Sequence, residues 1–145
     1  CACGAASVDA DEAMVERMRR FGEVVGLAFQ IKDDLLDLGD GERIGKPTGG
    51  DIRERKMTLP LIHTLQEANA QQRRRLIRLV KYRNQDNASV QEVMNAILDG
   101  PGMDYARKRM QALTEEAMQL LEPIEESAAK SALIDLVNFT IERKR

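Results

Sequence analysis

Residues 10–38 read ADEAMVERMRRFGEVVGLAFQIKDDLLDL, and this stretch decides the fold. Met14, Val15, Met18, Phe21, Val25, Ala28, Phe29 and Leu36 recur near a 3.6-residue period, the pattern of an amphipathic helix. The helix is expected from Ala10 to Leu38, roughly 40 Å at 1.5 Å per residue. Ser7 or Asp9 is placed to cap it, and Asp11 and Glu12 suit its positive end. Gly22 and Gly26, one turn apart, would let a neighbouring helix come close. Beyond Leu38 the helix breakers cluster as Gly39, Gly41, Gly45, Pro47, Gly49 and Gly50, so residues 39–56 read as a charged, glycine-rich loop.

The rest of the chain repeats the helical pattern. Thr58 is placed to cap a helix carrying Leu61, Ile62 and Leu65, with Pro60 tolerated in its first turn. A further helix spans Gln71 to Tyr82. Ser89 is the expected cap of a short helix stopped by Gly100-Pro101-Gly102. A long helix then runs from Met103 to Glu126, with Pro123 interrupting it near its end. The last is expected from Ala129 to Arg143. No repeat and no convincing strand is visible, so the fold class is all-α, a helical bundle. The opening Cys1-Ala2-Cys3-Gly4-Ala5-Ala6 lacks an initiator Met and reads as a cut through a longer chain.

Composition narrows the function. Apolar residues make up 43%, charged residues 32% and aromatics 3%, and helix-favouring side chains dominate. Twenty-two basic against 24 acidic side chains give a net charge of −2, which argues against a general nucleic-acid binder. Cys1 and Cys3 are too close for an ordinary structural disulfide, which points to a reduced, intracellular compartment. No apolar run approaches the ~20 residues of a membrane span.

Two constellations carry chemistry. In Phe29-Gln30-Ile31-Lys32-Asp33-Asp34-Leu35-Leu36-Asp37, Asp33 and Asp37 stand one turn apart and about 40° around the axis, with Asp34 about 100° to the side. Like charges on one helix face repel, and Mg²⁺ held by one or two carboxylates plus substrate phosphates relieves that repulsion. Gln30, one turn earlier, is within reach of a ligand oxygen or a metal-bound water. The plainer reading is a solvated acidic turn. The second constellation is Gly45-Lys46-Pro47-Thr48-Gly49-Gly50-Asp51, followed by Arg53, Arg55 and Lys56. Glycines let a backbone approach a ligand, and neighbouring cations suit a phosphate. It is not a P-loop, because Asp40 stands where the first glycine should be and Pro47 follows the lysine. Its plainer reading is an exposed turn.

Taken together, FQIKDDLLD at 29–37 and GKPTGGDIRERKMTLPLI at 45–62 resemble the second aspartate-rich motif and following loop of the trans-isoprenyl diphosphate synthase family. The resemblance covers nearly the whole chain and is most specific over residues 29–62. A DDxxD preceded by Phe-Gln favours a chain-elongating member over a terpene cyclase, and the carboxy-terminal wording resembles bacterial medium- and long-chain enzymes. The resemblance implies that residues 1–145 are the C-terminal part of a single polyprenyl synthetase domain of the isoprenoid synthase fold, with the N-terminal half absent. It implies Asp33 as principal ligand of one Mg²⁺ on an allylic diphosphate, supported by Asp34 and Asp37, with Gln30 on the substrate side. Lys46 would reach the same diphosphate, and Asp51 would hold the loop. The tail Arg143-Lys144-Arg145 would close over the isopentenyl diphosphate site, or else is a solvated helix end. A cytoplasmic homodimer is the expected state of the full-length protein, and the fragment alone is expected to be inactive. Product length is set upstream and is not readable here.

Two other readings stay in view: a non-catalytic subunit of a heteromeric synthase, usually marked by a decayed aspartate motif, and an unrelated helical interaction domain. His63 reads as a packed or surface histidine, Arg73-Arg74-Arg75 as a solvated face, and the methionines as core filling.

Overall fold

The computed structural model describes residues 1–39 and 49–142. Lys46, Arg143, Lys144 and Arg145 lie outside them. Eight helices are formed among the described residues, and no strand: α1 (Ala2–Ala6), α2 (Glu12–Asp37), α3 (Gly50–Arg53), α4 (Leu59–Glu67), α5 (Ala70–Tyr82), α6 (Asn87–Leu98), α7 (Gly102–Leu121) and α8 (Ala128–Glu142). The all-α expectation holds. The described residues divide into two compact units, one of residues 1–32 and 109–142, the other of residues 33–108.

In the first unit neither expected cap starts α2. The Ser7 hydroxyl donates to the Gly4 carbonyl (2.8 Å), closing α1, and Asp9 adopts a left-handed φ of 55°. Asp11 does the capping, its Oδ1 accepting from the Met14 N–H at 2.7 Å. The buried stripe of α2 in this unit is Phe21, Val24, Ala28 and Ile31, spaced by three or four residues. Val25 and Phe29, which share the apolar period in the sequence, lie beside that stripe rather than in it, and Phe29 is 42% exposed. Of the two glycines, only Gly22 is closely approached, where an added Cβ would lie 3.4 Å from the Cβ and Sγ of Cys1; Gly26 has no atom within 4 Å of that position. The Arg20 Nε donates to Glu116 Oε1 at 2.7 Å, joining α2 to α7.

Helix α7 ends at Leu121, two residues before Pro123 and earlier than Glu126 as expected, because proline has no N–H to continue the ladder. The turn that follows is closed by Lys130. Its buried ammonium donates to the Ile124 carbonyl and to Glu126 Oε1, each at 2.7 Å.

In the second unit α6 packs against α3, α4 and α5. Leu61, Leu65, Leu76, Val80, Val90, Val93, Met94 and Ile97 are among its buried apolar positions. The α5 cap is Asn69, whose Oδ1 accepts from Gln72 N–H at 2.9 Å. The α6 cap is Asp86 rather than Ser89: its Oδ2 accepts from the Ser89 N–H (3.0 Å) and hydroxyl (2.6 Å). Those bonds hold the Asp86 carboxyl below the usual carboxylate range. Arg73 donates to the carbonyls of Leu65, Gln66 and Ala68, satisfying the end of α4, and Arg75 pairs with Glu92 across to α6. All three arginines of the run are exposed, as a solvated face requires, and Arg73 and Arg75 are also tied into the fold.

Candidate functional site

The last turn of α2 brings the aspartates of the sequence motif into the second unit: Asp33 and Asp37 are half-buried and Asp34 is buried at 8% exposure. A buried carboxylate needs donors, and Asp34 finds one 25 residues downstream. Its Oδ2 accepts from the Leu59 N–H at 3.1 Å, at the start of α4. Thr58, the expected cap, makes no capping bond with its side chain. An acceptor that carries negative charge is favoured where a helix presents its unpaired N–H groups.

Asp37 does the same work one turn on. Its carbonyl accepts from the Gly49 N–H (3.1 Å) and its Oδ2 from the Asp51 N–H (3.0 Å). This geometry requires a glycine at 49 and leaves little room beside the backbone at 50. Gly49 has φ of 82°, and a Cβ there would also press on Met94 and Val90 of α6; a Cβ on Gly50 would sit 3.0 Å from Asp37 Oδ1. What the glycine backbone approaches closely, among the described residues, is Asp37 and α6.

Asp51 in turn holds Lys56, by Nζ to Oδ1 at 2.9 Å and by the Lys56 N–H to the Asp51 carbonyl at 2.8 Å. Glu54, at 2.8 Å, and then Asp51 raise the Lys56 ammonium above its ordinary range, so it stays cationic. The three cations expected beside a phosphate do not converge. Arg53 bonds Asn87 Oδ1 (2.7 Å), Lys56 is held as described, and Arg55 takes a left-handed φ of 60° and lines an apolar hollow. Gln30 is exposed on α2 in the first unit. His63 is packed, stacked on the Tyr105 ring at 3.9 Å and 12°, as its plain reading had it. Cys1 and Cys3 are free thiols.

Among the described residues no three His, Cys, Asp or Glu side chains group as a ready-made metal cage. The donor chemistry suits a hard oxygen-seeking cation that takes one or two carboxylates and fills its shell with phosphate oxygens and water. What reading the sequence missed is the long-range role of Asp34 and Asp37. No local signal marks a carboxylate that caps a helix 25 residues away.

Fold and site therefore define an all-α protein in which an aspartate-rich helix end is fastened by its own carboxylates to a glycine-rich segment and to the next helix. The chain belongs to the polyprenyl synthetase family, whose family model matches residues 1–97. It is 34% identical over 133 residues to the octaprenyl diphosphate synthase of Haemophilus influenzae, covering 91% of this chain and 40% of the relative. Among solved structures it is similar to a decaprenyl diphosphate synthase from Rhodobacter capsulatus (31% identity, TM-score 0.87), covering 99% of this chain and 45% of that one. It is also similar to a polyprenyl synthase from Caulobacter crescentus CB15 complexed with calcium and isoprenyl diphosphate (30% identity, TM-score 0.82), covering 99% of this chain and 44% of that one. The chain spans less than half the length of these relatives. No described helix is long and apolar enough to cross a membrane.

Proposed function

We propose that the protein carrying this chain is a Mg²⁺-dependent prenyltransferase that adds isopentenyl diphosphate head-to-tail to an allylic diphosphate, building a polyprenyl diphosphate. The observation that carries the reading is the intact Asp33-Asp34-Leu35-Leu36-Asp37 helix end, tied through Asp34 and Asp37 to the segment that follows, in a chain of this family. The names of the octaprenyl and decaprenyl relatives support a medium or long product. Residues 1–145 are read as the C-terminal part of one polyprenyl synthetase domain, since the family match runs through both compact units. The full-length protein is read as a cytoplasmic homodimer, and the two free cysteines suit a reduced compartment.

In this reading Asp33 leads the metal-binding set, and Asp34 and Asp37 contribute while their backbone bonds hold the helix end in register with residues 49–59. Mg²⁺, when bound, neutralises the diphosphate as it leaves. Gln30 and Lys46 bind the allylic diphosphate, and Arg143, Lys144 and Arg145 contribute to the isopentenyl diphosphate site. Lys46 also meets charge that develops on the leaving group. Ionisation breaks the C–O bond and leaves an allylic cation; the double bond of isopentenyl diphosphate attacks it, and loss of a proton to the released pyrophosphate completes the product.

The test is prenyl transfer by the intact protein with labelled isopentenyl diphosphate and farnesyl diphosphate, in Mg²⁺ or in EDTA. Magnesium-dependent product of defined chain length is expected. No product with any allylic primer would overturn the reading and put the non-catalytic subunit in its place.

A further inference from the structure

Helix α5 carries Arg73, Arg74, Arg75, Arg78 and Lys81 and no acidic residue, in a chain whose net charge is −2. Arg73 and Arg75 are engaged within the fold, at the end of α4 and on Glu92. Arg74, Arg78 and Lys81 stand at i, i+4 and i+7 and are exposed, so they form one stripe along the outer face. Among the described residues none of the three forms an ion pair.

Beside the stripe lies a hollow of about 270 Å³. Met57, Leu65, Ile77 and Val80 make its apolar lining, Arg55 and Lys81 add two cations, and no carboxylate takes part. Met57 and Ile77 are 52% and 45% exposed, so apolar surface faces water next to unpaired positive charge. Tyr82, 69% exposed, lies at the end of the helix with Lys81 Nζ 5.3 Å from its ring centre.

We infer that this face of α5, with the adjoining hollow, docks the protein on an anionic lipid bilayer. The argument is charge and polarity complementarity. A helix lying in the interface places apolar side chains just below the headgroups and cations among the phosphates. Lysine and arginine stems reach from an apolar floor to a charged layer, and tyrosine favours the same depth. An acidic peptide would satisfy the cations but would leave Met57 and Ile77 to be covered by something else; a bilayer answers both. The inference goes beyond the proposed reaction and rests on none of its residues.

The test is co-sedimentation of the intact protein with vesicles of phosphatidylcholine alone or mixed with phosphatidylglycerol. Binding is expected only to the mixed vesicles, and is expected to be lost when salt rises from roughly 0.1 M to 1 M and the Debye length falls from about 10 Å to about 3 Å. The triple variant Arg74→Glu, Arg78→Glu, Lys81→Glu should partition at least about a hundredfold less, from about fivefold per cation removed. Its circular dichroism should match the parent, because all three side chains are exposed. Ile77→Ser should weaken binding several-fold and keep the salt dependence. Equal binding to both vesicle types, no binding to either, or a triple variant that sediments like the parent would each overturn the inference. So would retention by polyglutamate in a protein that ignores vesicles.

Discussion

Asp34 is the residue whose two readings differ most in consequence. As a member of the DDxxD it reads as a metal ligand, yet its Oδ2 accepts from the Leu59 N–H in a position 8% exposed. The capping role makes a specific demand. Asp34→Ala should cost about 1–2 kcal/mol, whereas Asp34→Asn should restore most of it, because Asn and Asp cap about equally well. Denaturant midpoints of the two variants check this, and an Asn variant as unstable as the Ala variant would remove the cap from the account. The carboxylate's existence and its place on α2 were legible in the sequence. Its partner was not, since the local rule pointed to Thr58 and no window of neighbouring residues contains both 34 and 59. Arg73 repeats the lesson: an exposed-looking arginine run reads as solvated, but the orphan carbonyls at the end of α4 draw one guanidinium in. Lys130 gave no signal at all, since a buried lysine is recognised only by the carbonyls it closes on.

Helices were legible where periodicity is long and boundaries less so where several polar residues compete. The positions of α2, α5 and α8 agree with expectation to within about two residues, the ordinary uncertainty of helix ends, while α6 begins earlier than a cap at Ser89 would allow. Helix α3 was read as loop because four residues are too few to show a period. For α6 both Asp86 and Ser89 are good capping types, and the structure uses the pair: the serine sits three residues inside and donates twice to the aspartate. That arrangement has a pH signature. The Asp86 carboxyl is lowered first by the Ser89 hydroxyl and then by the Ser89 N–H. A folded-state value below the unfolded one adds stability that is fully present above the unfolded value, near pH 4, and is lost as pH falls through the folded value. Thermal midpoints of the parent should therefore fall more steeply below about pH 4 than those of Asp86→Asn, whose cap does not titrate. Parallel curves for the two proteins would show that this cap adds nothing to acid stability.

At the scale of the molecule, α2 runs from one compact unit into the other, and its last turn is fixed by two carboxylates to the residues after the glycine-rich stretch. In the proposed function this fastening has a purpose. Asp33, Asp34 and Asp37 repel one another, and each N–H bond offsets part of that repulsion before any ligand arrives. What remains should be relieved only when cation and phosphate arrive together, because one or two carboxylates leave most of a Mg²⁺ shell to other oxygens. Magnesium and pyrophosphate should thus stabilise the intact protein jointly, and neither should do so alone to a comparable degree. With the complex at about 100 times its dissociation constant, linkage gives about 2.7 kcal/mol, read as a rise in the thermal midpoint. Asp33→Asn should abolish most of the rise. The same ligand should slow hydrogen exchange at the Asp51 and Leu59 amides, since both are held by carboxylates of the ligated turn. A rise that persists in EDTA would assign the phosphate to basic residues alone. A rise unaffected by Asp33→Asn would place the metal away from this helix end, and the Asp34 and Asp37 bonds would then be fold and nothing more.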